Sequence, residues 1–217
     1  KAWLSSRLFK PMTGMDELTY NEFAKPVTFT DAQGDGVYVF VDFGCENAGY
    51  PQFSVDVEKD CTLYFGWGEH LADLRLETER YGRNFAWTIN LKAGRNDFSE
   101  YLLRLGCRYV CFFVETDVLT INEVTFREEL YPFPMPKKDF GDRLFNKIYE
   151  TGRRTLQLCA HEHYEDCPWR EQALYTYDSR WQMIYGYYTW GNYDYAAASM
   201  ALFAPGQDEE GHLRICS

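Results

Sequence analysis

The segment from His161 to Asp178 gathers groups that can do chemistry: His161, Glu162, His163, Glu165, Asp166, Cys167, Trp169, Arg170, Glu171, Tyr175 and Asp178. Pro168 suits the first position of a helix, where its missing N–H is not needed. Asp166, two positions earlier, could bond the free N–H groups of the first turn and complement the helix dipole. The expectation is a helix from Pro168 to about Thr189. On it Asp178 follows Glu171 by seven positions, about 700° of rotation, so the two carboxylates would share one face. Gln182 falls near the same stripe, and Arg170 would be the internal counter-charge of a cluster formed by Asp166, Glu171 and Asp178. Two such carboxylates fit hydrolysis of a glycosidic bond. One protonates the leaving oxygen, and the other activates water or attacks the sugar. Like charges held close keep one of the pair protonated near neutral pH. Trp169, Tyr175 and Trp181 are rings that could stack on a sugar. The plainer reading of the same residues is a solvated helix face with an ordinary N-cap.

Two other chemistries compete for this segment. His161 and His163 alternate, and with Glu165, Asp166 and Cys167 nearby they could form a metal shell. No second ligand cluster with fixed spacing accompanies them, so the expectation is no metal and no cofactor. Cys167 is a poor nucleophile, because it sits between Asp166 and Pro168 beside negative charge.

The elements that must carry these residues change character near Tyr131. Before it, strand patterns dominate: Val37 to Phe43, Gln52 to Val57, Thr62 to Gly66, Phe85 to Leu91, Arg108 to Val114 and Leu119 to Phe126. Loops or turns are expected at Gly34 to Gly36, Gly44 to Pro51 and Gly94 to Asp97. Short strands with turn signals between them suggest an antiparallel β-sandwich. Leu130 to Pro136 carries three prolines at alternate positions, which makes it extended and stiff. Beyond it Asp139 precedes Leu144, Ile148, Tyr149, Leu156 and Leu158, a helical period. A further helix is expected over roughly Tyr193 to Phe203. The organisation is therefore a β-sandwich domain over 1–130, a Pro-rich linker over 131–138 and a helical domain over 139–217.

The run Asp166-Cys167-Pro168-Trp169-Arg170-Glu171, with Asp178 seven further on, resembles the signature of glycoside hydrolase family 78, the bacterial α-L-rhamnosidases. That pattern is Asp-Cys-Pro-x-Arg, an acidic residue, then a Trp and an Asp. Val41 to Gly44 with Gly49 and Tyr50, Tyr64 to Glu69, and Phe98 through Arg108, Tyr109 and Val110 resemble the sandwich that precedes the family's catalytic barrel. The resemblance runs from about Val37 to the end. It implies an antiparallel β-sandwich followed by the first helices of an (α/α)6 barrel, and inverting hydrolysis of terminal α-L-rhamnosyl or related deoxysugar residues without a metal. By position it implies Glu171 as general acid, Asp166 and Asp178 as holders of sugar hydroxyls, and Arg170 as the group orienting Glu171 or the sugar. Tyr175 stands where the family usually has Trp. Ala173, Leu174 and Tyr177 replace a more Gly-rich stretch, and Ser179 and Arg180 follow Asp178. Twelve helices need roughly 200 residues, and Asp139 to Ser217 accommodates about three. The resemblance thus implies a fragment, inactive alone, whose general base lies downstream. A free-standing piece would expose the barrel's inner faces and associate, for instance as a homo-oligomer. The alternative is a non-catalytic carbohydrate-binding β-sandwich with a helical appendage, in which Trp67 and Trp87 stack on glycans.

The resemblance implies a carbohydrate partner, and composition argues against others. The chain of 217 residues has 22 Lys+Arg against 33 Asp+Glu, a net charge of −11. That is unsuited to a phosphate backbone, so no nucleic acid is expected. No apolar run reaches bilayer length, so no membrane is expected, and Lys1 to Lys10 does not read as a signal peptide. Seven cysteines without CxxC spacing suggest buried free thiols and a cytoplasmic location. Aromatic residues are 18% of the chain, and most of these rings should be core.

Overall fold

The computed structural model describes residues 26–216 except 32, 33, 35, 73, 74 and 135. The expectations for residues 1–10, and for the centre of the Gly34–Gly36 turn, lie outside the described residues. Packing divides the chain between Glu128 and Glu129 into two compact units.

The first unit is antiparallel throughout. Its strands are β1 (Val27–Thr30), β2 (Val37–Val57), β3 (Cys61–Gly68), β4 (Leu71–Ala72), β5 (Arg75–Leu76), β6 (Glu79–Arg80), β7 (Arg83–Asn84), β8 (Ala86–Leu91), β9 (Gly94–Ser99), β10 (Leu105–Val114) and β11 (Val118–Glu128). The main sheet runs β1-β11-β2-β10-β3-β8, with β9 also on β2. Its long strand β2 serves two neighbourhoods. Val37 to Gly49 pairs with β10, whereas Gly49 to Val57 pairs with β11 on one side and, from Gln52, with β9 on the other. A strand that changes partners in this way folds one sheet over on itself. The rings prove the contact: Phe53 of β2 lies 5.4 Å from Phe65 of β3, 5.2 Å from Phe112 of β10 and 4.9 Å from Phe98 of β9. On the other face of β10 the hairpin of β4 and β5 lays Leu76 over Cys111 and Phe113.

Two expectations from the sequence are corrected here. Gly44 to Pro51 is strand rather than loop, because Gly49 can stand opposite both Leu105 and Glu128. Its φ is +154°, and a Cβ there would lie 2.1 Å from the Arg127 carbonyl oxygen, so only glycine fits. Gly94 to Asp97 is strand β9, and the reversal precedes it at Lys92 and Ala93. The Asn96 side chain supplies the turn's bonds, accepting from Lys92 N–H at 2.9 Å and donating to Lys92 O at 2.8 Å. All seven cysteines are free thiols, but only Cys107, Cys111 and Cys159 are buried.

The second unit has three α-helices among its described residues: α1 (Arg143–Leu158), α2 (Thr176–Thr189) and α3 (Asp194–Ala201). The cap of α1 is Asp142. Its carboxylate accepts from Leu144 N–H at 2.7 Å and Phe145 N–H at 3.0 Å. Asp139 instead holds Gly141 N–H and the Asn146 amide, and the Asn146 bond helps hold its carboxyl below the usual range. Of the helical apolar positions, Leu156 and Leu158 are buried, whereas Leu144 and Ile148 are exposed. The Pro-rich segment belongs to this unit. Phe133 within it is buried and stacks on Trp190 at 3.5 Å, and Tyr195 packs edge-on against Phe133 and Tyr164. No helix of the described chain is long and apolar enough to cross a membrane.

Candidate active site

The segment bearing Asp166 and Glu171 is a closed loop, not the opening of a helix. Residues 168–171 form turns, and α2 begins at Thr176. Three contacts stop a helix from propagating. Asp166 N–H donates to Ala173 O at 3.0 Å, and its own Oδ1 accepts from Ala173 N–H at 3.0 Å. The Glu171 N–H points at Cys167 Sγ at 3.4 Å. Gln172 takes a left-handed φ of +52°, which ends the turn, and its side-chain amide returns to Pro168 O at 2.7 Å. The expected shared helix face of Glu171 and Asp178 is therefore absent. Glu171 lies in the loop, and Asp178 lies exposed in the first turn of α2, where a carboxylate complements the dipole.

Around Glu171 the sequence-predicted residues do meet. Arg170 forms an ion pair with its carboxylate, and the Tyr175 hydroxyl donates a hydrogen bond to it. That bond is the leading reason the Tyr175 phenol is pushed up to about 12. Partial burial and the nearby Cys216 and Asp166 add to it. Glu171 is thus held from both sides, by a cation and by a neutral donor. Burial, chiefly, pushes the Cys167 thiol up, with Asp166 adding to it, which keeps the sulfur protonated and inert.

The predicted rings separate. Trp169 is buried, so it forms wall rather than an open platform. Trp181 is exposed on α2, between Tyr177 and Tyr185 at 6.4 Å each. His161 and His163 serve different backbone carbonyls: His161 Nε2 is 2.9 Å from Leu158 O, and His163 Nδ1 is 2.8 Å from Tyr164 O. Among the described residues no group of three or more His, Cys, Asp or Glu is placed to hold a metal ion. The two tryptophans of the binding-module alternative are packing groups. Trp67 is buried, its ring 4.7 Å from Trp87 and edge-on to Phe85 at 6.1 Å, and Trp87 is half-buried in the same stack against Phe65.

Three supports of the loop did not follow from the sequence pattern. Cys216 forms an antiparallel bridge with Tyr175, and Thr176 N–H donates to Ile215 O at 3.1 Å. The Gln182 amide on α2 donates to Glu165 O at 2.5 Å, fastening the loop to the helix that carries Asp178. The side chains of His161 and Glu165 are buried together, 3.9 Å apart, directly before Asp166. The first two join residues far apart in sequence, and of the residues involved only Gln182, His161, Glu165 and Tyr175 had drawn notice, for other roles.

No family model and no curated protein sequence matches the chain. Among solved structures it is similar to a GH78 family rhamnosidase of Bacillus sp. GL1, with a TM-score of 0.69 and 23% identity over 77% of this chain and 18% of that one. It is similar to a rhamnosidase from Klebsiella oxytoca with rhamnose bound, with a TM-score of 0.65 and 21% identity over 84% of this chain and 39% of the other. It is also similar to an α-L-rhamnosidase from Dictyoglumus thermophilum, with a TM-score of 0.61 and 15% identity over 95% of this chain and 22% of the other. The chain spans well under half the length of each of these proteins. At these identities the likeness is one of fold, an antiparallel β domain with helices shared with rhamnosidases.

Proposed function

We propose that this chain is part of a glycoside hydrolase that removes terminal α-L-rhamnosyl or related deoxysugar residues with inversion, and that Glu171 is its general acid. The observation that carries the reading is the treatment of one carboxylate. Glu171 is the residue that Arg170 and Tyr175 both engage, at the centre of a loop that Asp166 closes. Its protonated form delivers a proton to the glycosidic oxygen as the bond to the sugar breaks. Arg170 and Tyr175 hold the carboxyl in place and receive its charge once the proton has gone. Asp166, through the oxygen not committed to Ala173, and Asp178 hold sugar hydroxyls, and Trp181 offers a ring face. Trp169 shapes the wall behind them.

An inverting reaction also needs a base about 6.5–9.5 Å from the acid, with the attacking water between them. In this proposal a segment outside the chain supplies it, and α1 to α3 are the opening helices of an (α/α)6 barrel. The residues named need no cofactor for this chemistry. The test is Glu171→Gln in the full-length protein with an aryl α-L-rhamnoside. Turnover should vanish while rhamnose binding persists; unchanged turnover would refute the assignment.

A further inference from the structure

The segment that pairs with Tyr175 also walls a cleft of about 260 Å³, lined by Leu202, Phe203, Pro205, Gly206, Arg214 and Cys216. This is near the lower end of small-ligand sites, roughly 300–1,000 Å³, and suits a single sugar ring. The cleft reaches the proposed acid through two contacts, Cys216 to Tyr175 and Tyr175 to Glu171. Residues paired across an antiparallel bridge project to the same side. The Cys216 thiol accordingly lies near enough to the Tyr175 phenol to contribute to its raised pKa, and that phenol bonds Glu171. Cleft wall, Cys216, Tyr175 and Glu171 form a continuous series.

Arg214 sets the chemistry of this cleft. It is exposed, and among the described residues its guanidinium makes no hydrogen bond or ion pair. Its stem runs past Gly206, where a Cβ would touch Cγ and Cδ at 3.6 Å, so the wall supports the side chain without engaging its head. Two nearby acids are turned toward a histidine instead: Asp208 and Glu210 lie 3.3 and 3.6 Å from His212 Nδ1. A guanidinium with no partner among the described residues, in a mostly apolar cleft, offers a planar fork to an oxyanion. A general acid acts at the oxygen that joins a sugar to its leaving group. A cleft linked to Glu171 through Cys216 and Tyr175 is therefore a place for the leaving group.

We propose that this cleft is a leaving-group subsite for an acidic sugar, with Arg214 pairing the carboxylate of a uronic acid. Its place in the reaction rests on the reading of Glu171 as general acid; the anion site does not. The first test is therefore binding alone. The methyl glycoside of a uronic acid, its neutral methyl ester and a sugar 6-sulfate are titrated into the protein by NMR. The uronate should bind about tenfold more tightly than its ester, and Arg214→Met should erase that difference while Arg214→Lys keeps part of it. Equal binding of acid and ester, or a difference that survives Arg214→Met, would overturn the anion site. Tighter binding of the sulfate would overturn the carboxylate.

The second test compares kcat/KM for rhamnosyl-uronate and rhamnosyl-hexose disaccharides. A preference for the uronate that falls about tenfold in Arg214→Met supports the subsite. Equal kcat/KM values with Arg214-dependent uronate binding would place the anion elsewhere than the leaving group. If Glu171→Gln leaves turnover intact, it is the general-acid reading that fails, and the binding test still decides the cleft.

Discussion

Replacing Gly49 with alanine should destabilise the β unit by about 3–5 kcal/mol, because one added methyl group strikes backbone that cannot rotate away. The new Cβ would lie 2.1 Å from the Arg127 carbonyl oxygen and 2.8 Å from the Glu128 Cα. Relieving that overlap separates β2 from β11 where Gly49 faces Glu128 and Tyr50 faces Arg127. Two ladder hydrogen bonds lost at about 1 kcal/mol each, with about 1–3 kcal/mol of strain for a side chain at φ +154°, give that total. The Arg127 guanidinium, held between the Tyr50 and Tyr101 rings at 5.0 and 4.9 Å, would be disturbed as well. Gly94→Ala is the control, since Gly94 also has a positive φ, +93°, but its Cβ would meet nothing within 4 Å. Urea unfolding followed through the β-unit amides compares the two variants. Gly49→Ala should lose at least about 2 kcal/mol more than Gly94→Ala. Equal losses would show that β2 does not need glycine to change partners, and the steric argument would fall.

Two further outcomes concern the loop. In an NMR titration with labelled tyrosine, Tyr175 should ionise near pH 12 and move toward the ordinary value of about 10 in Glu171→Gln, because the Glu171 carboxylate is the main cause of the shift. Between those two pH values the folded chain keeps a proton the unfolded chain has lost. The linked stability is thus full below pH of about 10 and disappears as pH rises to about 12; a Tyr175 midpoint unaffected by Glu171→Gln would contradict the hydrogen bond. Asp166→Asn retains an oxygen for the Ala173 N–H and should keep that amide protected from exchange while weakening sugar binding. Asp166→Ala should lose the protection and about 1–2 kcal/mol; equal protection in both variants would remove Asp166 as the clasp.

Local pattern carried much of this architecture. The period-two stretch Gln52 to Val57 is a strand because alternate residues must face a core, whereas Val110 to Val114 is a continuous apolar run because both faces of β10 are covered. The run Asp166 to Glu171 is a recognisable chemical string in any conformation. The residues whose side chains converge on Glu171, namely Arg170 and Tyr175, lie within a few positions of it, so proximity along the chain made them legible.

Elsewhere local signals misled. Gly44 to Pro51 and Gly94 to Asp97 look like turns because glycine, asparagine and aspartate favour them, yet both became strand once partners were available to accept their backbone bonds. Pro168 and Asp166 look like a helix start. The helix instead waits for Thr176, because Asp166 is bonded to Ala173 and Gln172 is left-handed.

What the sequence determined by itself is therefore the inventory: which segments alternate, where the prolines end the strand region, and which carboxylates, rings and guanidinium stand close together along the chain. Tertiary structure alone decided that Glu171 sits in a clasped loop rather than on a helix with Asp178, that Trp169 is buried while Trp181 is open, and that Cys216 pairs with Tyr175 and shares a cleft with Arg214. The reason is physical. Composition and period set the preferences of neighbours along the chain, but a bond between residues some forty positions apart forms only when the packing of everything between them brings the two ends together.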